Sequence, residues 1–183
     1  QSESYWGNVN PHGPRSCYDE GKRAGEATLR SYSKVNDLNY RIIRIFNTYG
    51  PRMMEEDGRV ITNFLRQAKN ENPITVYGDG TQTRSFCYID DLVQGILKVM
   101  KAERGKIYNL GNPDEHTINQ LAETIKNITN STSKIVHKQL PQDDPSRRKP
   151  DISKVKEELG WEPEVELGEG LKETMKKDDL MSE

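Results

Sequence analysis

Short runs of β-branched residues alternate with helix-patterned segments along most of this chain, and this alternation restricts the fold to the α/β class. The segment Tyr40–Phe46 (YRIIRIF) predicts a strand, and the apolar spacing of Val60, Ile61, Phe64, Leu65 and Ala68 predicts a helix over Gly58–Asn70. Further strands are predicted at Ile74–Tyr77, Ser85–Ile89, Ile107–Leu110 and Ile135–His137. Because so few of these strands are of the buried type, we expect an incomplete sheet.

Capping residues define the other helices. A helix is predicted over Ser16–Val35, and another begins where Asp90 or Asp91 caps it. Thr117 and Gln120 have the spacing of a capping box, which opens a helix with Ile118 and Leu121 facing inward. Asp151 is predicted to cap a final short helix that Gly160 ends. The first fifteen residues are rich in Gly, Pro, Asn and Ser and predict a loop.

The composition excludes several classes of function. The 27 basic and 29 acidic residues give a net charge of -2, which argues against a nucleic-acid partner. No apolar run approaches the ~18 residues that span a bilayer. The two cysteines, Cys17 and Cys87, lack the spacing of metal ligands and are predicted to be free thiols. With an apolar fraction of 32% and a mean hydropathy of -0.92, the core is lean, so we expect another segment to complete its burial.

Tyr18 and Lys22 are four residues apart on the first predicted helix, which places both side chains on one face. A nearby ammonium favours the phenolate form of a tyrosine, and such a tyrosine can take the proton of a substrate hydroxyl as hydride leaves the adjacent carbon. On the spacing alone, an exposed pair on an ordinary helix is the better interpretation. The context of the pair therefore decides its interpretation.

Several motifs occur in a fixed order along the chain, and the first contains the tyrosine and the lysine. The most distinctive are CYDEGKR at residues 17–23, FNTYGPRM at 46–53, NLGNP at 109–113 and RKPDI at 148–152. This ordered set resembles the extended short-chain dehydrogenase/reductases that act on nucleotide sugars, and within them the group that decarboxylates UDP-glucuronate to UDP-xylose. The resemblance extends to about Thr174 and implies a Rossmann-type fold, an NAD cofactor and a UDP-sugar substrate.

One motif of that family is absent. The glycine-rich turn that holds the NAD pyrophosphate at a helix N-terminus does not occur in this sequence. We therefore expect residues 1–174 to be the C-terminal part of such a domain, with late strands of the parallel sheet and a small substrate-binding lobe. Residues 175–183 are predicted to be a polar tail. Whether the isolated chain is active is left open.

The resemblance implies roles for individual residues. Tyr18 matches the catalytic base and Lys22 the lysine that assists it and binds the nicotinamide ribose. Arg84 matches an arginine near the substrate diphosphate or carboxylate, and it is counted with the catalytic residues. The cofactor-binding positions are Tyr18, Lys22, Thr48 and Arg59, and the substrate-binding positions are Asn47, Asn63, Tyr77, Arg84 and Arg148. Guanidinium groups suit oxyanions of this kind. The resemblance implies no metal.

Alternatives remain at this point. The same C4 oxidation serves nucleotide-sugar 4-epimerases and 4,6-dehydratases, and the other alternative is a non-catalytic truncated fragment that only binds UDP-sugar or dimerises. A homodimer is expected by resemblance. The compartment is left open between the Golgi lumen, with an upstream anchor, and the cytoplasm. Asn127 and Asn130 begin glycosylation sequons, and the histidines at 12, 116 and 137 are interpreted as ordinary polar residues.

Overall fold

The computed structural model describes residues 1–54, 56–140 and 147–178. In these ranges the helices are α1 (Ser16–Asn36), α2 (Val60–Lys69), α3 (Ile89–Met100), α4 (Ile118–Ile128), α5 (Ser153–Leu159) and α6 (Leu167–Lys177). The strands are β1 (Ile42–Ile45), β2 (Thr48–Tyr49), β3 (Ile74–Tyr77), β4 (Thr83–Ser85), β5 (Cys87–Tyr88), β6 (Ile107–Leu110), β7 (Glu115–Thr117), β8 (Ile135–Lys138) and β9 (Arg147–Arg148). The predicted α/β class is confirmed.

The strands form four small sheets. Three are parallel pairs, β1 with β6, β2 with β5 and β3 with β8. In the fourth sheet β4 lies in the middle, antiparallel to β7 and parallel to β9. Parallel pairs need crossover connections, and helices supply them, as in Rossmann-type folds.

Two hydrophobic clusters hold these elements together. One collects the inward faces of α2, α4 and α6 around β3, with Phe64, Leu121 and Leu171 buried. The other packs α3 and α5 against β6, with Trp161 and Val155 buried beside Leu110. Each cluster follows the apolar spacing of its helices, because residues three and four apart share a face.

Helix α1 contributes no buried residue to either cluster. Tyr32 and Val35 on this helix are 61% and 84% exposed, and Ile45 at the end of β1 is 56% exposed. Apolar side chains on α1 and β1 therefore face solvent in this chain. The expectation that another segment completes the burial remains a prediction.

The helix ends follow the sequence in some places. Thr117 Oγ1 accepts from the backbone N–H of Gln120, and the Gln120 side chain accepts from the Thr117 N–H, so the predicted capping box is present. Gly160 ends α5 in the left-handed region at φ 58°, as a C-terminal glycine does. The predicted Asp151 cap of α5 is wrong, because the capping position is Ile152; Asp151 lies one residue earlier, and its carboxylate accepts from the Ser153 N–H.

The segment after β4 differs from its prediction. Instead of one strand over Ser85–Ile89, the chain forms β4 and β5, and α3 begins at Ile89. Neither aspartate caps α3, because the capping position is Tyr88 and no side chain caps it. Asp91 is buried, and its carboxylate accepts from the backbone N–H groups of residues 164 and 165 at 3.1 and 2.9 Å. A tertiary contact has replaced the local cap.

The C-terminal segment is more helical than predicted. Helix α5 is not the last helix, because α6 follows it and ends at Lys177. Met175, which falls in the predicted polar tail, lies on α6 and is only 4% exposed. The helix therefore extends past the predicted boundary at Thr174, and residues 179–183 lie outside the described part of the chain.

Both cysteines are free thiols, as predicted. Cys17 is exposed on α1, whereas Cys87 is buried in β5. Burial raises the pKa of the Cys87 thiol to about 12, so this thiol stays protonated near neutral pH.

Candidate active site

Tyr18 and Lys22 meet on the exposed face of α1. The Lys22 ammonium lies 5.3 Å from the centre of the Tyr18 ring, and the Arg15 guanidinium lies 5.8 Å from the same ring. Tyr18 is 59% exposed, so its hydroxyl is accessible to a bound molecule. The structure therefore places the Tyr18 ring beside two cations on one exposed face of α1.

A bidentate ion pair fixes α1 against β1. Arg44 Nε and Nη2 donate to the two carboxylate oxygens of Glu26 at 2.7 and 2.8 Å, and Arg44 Nη1 donates to the Glu3 carbonyl. These hydrogen bonds from Arg44 hold the pKa of Glu26 below its usual value. Because α1 carries Tyr18, this contact also orients the candidate catalytic pair.

We expect Glu26→Gln to lower the free energy of unfolding by about 1–2 kcal/mol at pH 7, since it removes a charge-assisted bidentate contact. The pKa of Glu26 is lower in the folded state, so its contribution is complete above about pH 5 and fades as pH falls through the folded value. Urea unfolding at pH 7 and at about pH 3 measures both effects, and the difference between variant and parent should shrink at the lower pH.

Glu20 offers a matched control on the same helix. Its ion pair with Arg23 spans 3.6 Å on an exposed surface, so Glu20→Gln should change the stability by less than about 0.5 kcal/mol. Equal losses for the two variants would show that Glu26 has no special role in holding α1.

Asn47 and Thr48 follow the carboxyl end of β1. The Asn47 side-chain amide donates to the Ser85 carbonyl at 3.3 Å, and the Asn47 backbone carbonyl accepts from the Cys87 N–H at 2.9 Å. Thr48 Oγ1 donates to the Phe46 carbonyl. Ligands of open α/β sheets bind outside the carboxyl ends of parallel strands, so these two residues stand at a suitable edge.

Arg84 and Arg148 share one face of the three-stranded sheet. Arg84 lies on the central strand β4 and is only 8% exposed, and its Nη1 donates to the Thr83 carbonyl at 2.8 Å. Arg148 on β9 is its register partner. Partners on adjacent strands point to the same side of a sheet, so the two guanidinium side chains lie on one surface.

The opposite face of this sheet carries the contacts that stabilise it. Glu115 Oε1 accepts from Thr83 Oγ1 at 2.8 Å, and Glu115 Oε2 lies 3.4 Å from Lys149 Nζ. Ser85 Oγ donates to the Arg148 carbonyl. Sequence reasoning missed Glu115, since it follows a turn and has no recognisable spacing to the residues that it contacts.

Arg59 and Asn63 lie together at the start of α2. Arg59 is the N-terminal capping position, and its side chain is 65% exposed and 3.2 Å from an Asp57 carboxylate oxygen. The Asn63 side-chain amide donates to the Gly58 carbonyl. Tyr77 stands elsewhere, at the end of β3, and is 46% exposed. The predicted site residues thus fall into three groups and one separate residue. The groups lie on α1, in the sheet around β4 with Asn47 beside it, and at the start of α2, and the separate residue is Tyr77.

A cavity of about 300 Å³ lies between α2 and α6. Its lining residues are Gly50, Met53, Ile61, Thr62, Leu65, Arg66, Lys69, Asn70, Thr174 and Asp178, and none of them is a predicted site residue.

Across the described ranges, no group of three or more His, Cys, Asp or Glu residues is placed to hold a metal ion. Among the helices described above, none combines the length and the apolarity needed to cross a membrane.

Comparison with known proteins identifies the class. The sequence profile of the NAD dependent epimerase/dehydratase family matches residues 3–111. UDP-glucuronic acid decarboxylase 1 of Arabidopsis thaliana is 53% identical over 171 residues, covering 93% of this chain and 39% of that protein. UDP-glucuronic acid decarboxylase 1 of Xenopus tropicalis is 53% identical over 175 residues, covering 96% of this chain and 42% of that protein.

Solved structures agree on the fold. UDP-glucose 4-epimerase of Thermotoga maritima superposes with a TM-score of 0.86 and 31% identity, over 93% of this chain and 58% of that one. The UDP-glucuronic acid 4-epimerase of Bacillus cereus, solved with UDP-glucuronic acid and NAD, gives a TM-score of 0.83 and 27% identity, over 96% of this chain and 57% of that one.

The chain therefore belongs to the NAD dependent epimerase/dehydratase family, as the ordered motifs predicted. It spans between 38% and 50% of the length of the curated decarboxylases that it matches.

Proposed function

We propose that the protein containing this chain converts UDP-glucuronate into UDP-xylose and CO₂, and that this chain carries the catalytic pair and the sugar-nucleotide pocket. The observation that supports this most strongly is the 53% identity to a UDP-glucuronic acid decarboxylase, which extends over 93% of the chain. The ordered motifs that contain Tyr18, Asn47 and Arg148 fall inside that length.

The donor groups on α1 fit the nicotinamide end of NAD. The Lys22 ammonium and the Tyr18 hydroxyl stand on one exposed face, where both are able to hydrogen bond to ribose hydroxyls. Thr48 and Arg59 are the further residues that we assign to the cofactor. Held by these residues, NAD would supply the hydride acceptor for C4 of the sugar and the source of the hydride that returns to it.

Tyr18 acts in this proposal as the general base at the 4-hydroxyl of the sugar. Its oxygen takes the hydroxyl proton, and the neighbouring Lys22 ammonium stabilises the phenolate that does so. Once C4 is a ketone, the carboxylate on C5 is β to a carbonyl. CO₂ then leaves, and the electron pair of the broken C–C bond delocalises into an enolate that is protonated at C5.

The arginines hold the substrate while this chemistry proceeds. Arg84 and Arg148 share a face, and their guanidinium forks are suited to the diphosphate oxygens. We assign Arg84 in addition to the neighbourhood of the carboxylate, where a cation stabilises the charged group before it leaves. Asn47, Asn63 and Tyr77 are assigned to the diphosphate, the ribose and the uracil.

Binding of UDP-glucuronate to this chain tests the assignment. We expect calorimetric titration to give a one-to-one complex, and Arg84→Met to weaken it at least about tenfold, because a charged hydrogen-bond donor is lost. Arg30 is exposed on α1, so Arg30→Met should leave the affinity unchanged. An Arg84→Met variant that is folded and binds with parental affinity would contradict the proposed pocket.

Two rival functions predict different observations. A 4-epimerase or 4,6-dehydratase, the activities named for several structural neighbours, would give an epimer or a 4-keto-6-deoxy sugar instead of a pentose. A non-catalytic fragment would bind UDP-sugar without turnover. Because the chain lacks a glycine-rich pyrophosphate loop, we expect NAD to bind it far more weakly than UDP-glucuronate does. Micromolar NAD affinity for this chain would contradict that expectation.

We also propose that α1 lies in a two-fold interface between copies of the protein. The exposed apolar side chains on this helix, Tyr32 and Val35, support the proposal, because apolar surface is stabilised when it is buried. Sedimentation equilibrium of the protein should give the mass of a dimer. The mass of a monomer at all concentrations would contradict the proposed interface.

A further inference from the structure

A histidine completes a row of nitrogen-bearing side chains across the β4 sheet. His116 on β7 is the register partner of Arg84 on β4, and Arg84 is the register partner of Arg148 on β9. Directly opposed residues on adjacent strands have Cβ atoms about 4.5–5.5 Å apart and project to the same face. The three side chains therefore stand side by side on one face of the sheet, where Arg84 is buried and the other two are half-buried.

The alternation along each strand supports this placement. Thr83 and Ser85 flank Arg84, and Glu115 precedes His116. Glu115 contacts Thr83 and Lys149, so these residues occupy the other face of the sheet. Since neighbouring residues on a strand point to opposite faces, the Glu115 carboxylate projects to the side opposite His116.

We propose that His116 is a third anion-binding residue of the sugar-nucleotide site and that it donates an imidazole N–H to an oxygen of the substrate diphosphate. The inference rests on the proposed function, because that function places the diphosphate on Arg84 and Arg148. Each non-bridging oxygen of a diphosphate accepts more than one hydrogen bond, so two guanidinium groups leave acceptor capacity for a third donor. His116 is half-buried, so its ring is partly ordered by the sheet and remains accessible from the surface.

A comparison of UDP with uridine isolates this role. We expect His116→Phe to weaken the binding of UDP to this chain by about tenfold, the loss of one hydrogen bond to a charged group, and to leave the binding of uridine unchanged. His116→Gln retains an N–H donor and should restore most of the affinity for UDP. NMR titration of the labelled chain measures all of these affinities, including weak ones.

His12 provides the matched control, because it is exposed in the loop before α1. His12→Gln should leave both affinities unchanged. Spectra of each variant show whether the chain is folded before any affinity is compared, and Arg84→Met serves as the positive control for phosphate binding.

The possible outcomes separate the two proposals. If the parent chain binds neither UDP nor uridine, the proposed pocket fails and the histidine assignment fails with it. If the parent binds UDP and Arg84→Met weakens it while His116→Phe does not, only the histidine assignment is overturned. Equal losses for UDP and uridine in His116→Phe would also overturn it, since they would indicate a structural role in the sheet.

Discussion

Tyr18→Phe is expected to lower the rate of UDP-xylose formation by at least ~10²-fold, because it removes the group that takes the proton of the 4-hydroxyl. The assay uses a hybrid enzyme in which the upstream half of the Arabidopsis relative precedes Gln1 of this chain. We expect KM to change little, since the phenyl ring keeps its place beside Lys22, where the ammonium lies 5.3 Å from the ring centre. Steady-state kinetics with NAD and UDP-glucuronate measure both parameters.

Tyr32 is the control for this substitution. It lies on α1 as well and is 61% exposed, close to the 59% exposure of Tyr18. Tyr32→Phe should therefore leave kcat unchanged. Near-normal turnover in the Tyr18 variant would mean that another residue is the base.

Trp161→Ala is expected to cost about 3–5 kcal/mol of stability, the usual loss when a large buried aromatic side chain is truncated. Trp161 is 2% exposed, and its Nε1 donates to the Asp91 carbonyl at 3.0 Å. Its ring fills the space that glycine leaves at position 95, where an added Cβ would come within 2.9 Å of Trp161 Cε2. Urea unfolding gives the change in free energy.

The other tryptophan supplies the comparison. Trp6 is 86% exposed, so Trp6→Ala should alter the stability by no more than about 0.5 kcal/mol. Where Trp161→Ala is too unstable to purify, Trp161→Phe keeps part of the ring volume and should show a smaller but measurable loss. Equal stabilities for the parent and Trp161→Phe would contradict the packing described for this cluster.

The longer elements of the fold are predictable from sequence, because their signals are local. The apolar spacing of α2 places its start and end within two residues, and the Thr117–Gln120 pair marks the start of α4. Strands β2 and β9 contain two residues each. Elements so short show no period, and they exist only because distant segments pair with them.

Helix α6 was not predicted, because a contact with a distant residue requires a glycine that lowers the helix propensity of this segment. Two glycines, at positions 168 and 170, lower the helix propensity of this segment. The fold requires one of them, since a Cβ at Gly170 would come within 2.9 Å of Tyr49 Cζ. The sequence around α6 does not reveal that a tyrosine more than a hundred residues away occupies this space.

The candidate site likewise has one part that is predictable from local sequence and one part that is not. The Tyr18–Lys22 pair follows from spacing on one helix, and the structure keeps the two side chains together. The alignment of Arg84 with Arg148 and His116 depends on the register of strands that are far apart in sequence. The arginines could therefore be assigned only from the family resemblance. Neither that resemblance nor residue spacing gave a reason to group the histidine with them.

Product analysis of the hybrid enzyme with UDP-glucuronate labelled with ¹³C in every sugar carbon tests the proposed function most directly. We predict UDP-xylose with five labelled carbons and labelled CO₂ by mass spectrometry, both lost in Tyr18→Phe. A folded hybrid that binds NAD and UDP-glucuronate, yet returns only a UDP-hexuronate with all six sugar carbons, would contradict the decarboxylase assignment and favour an epimerase.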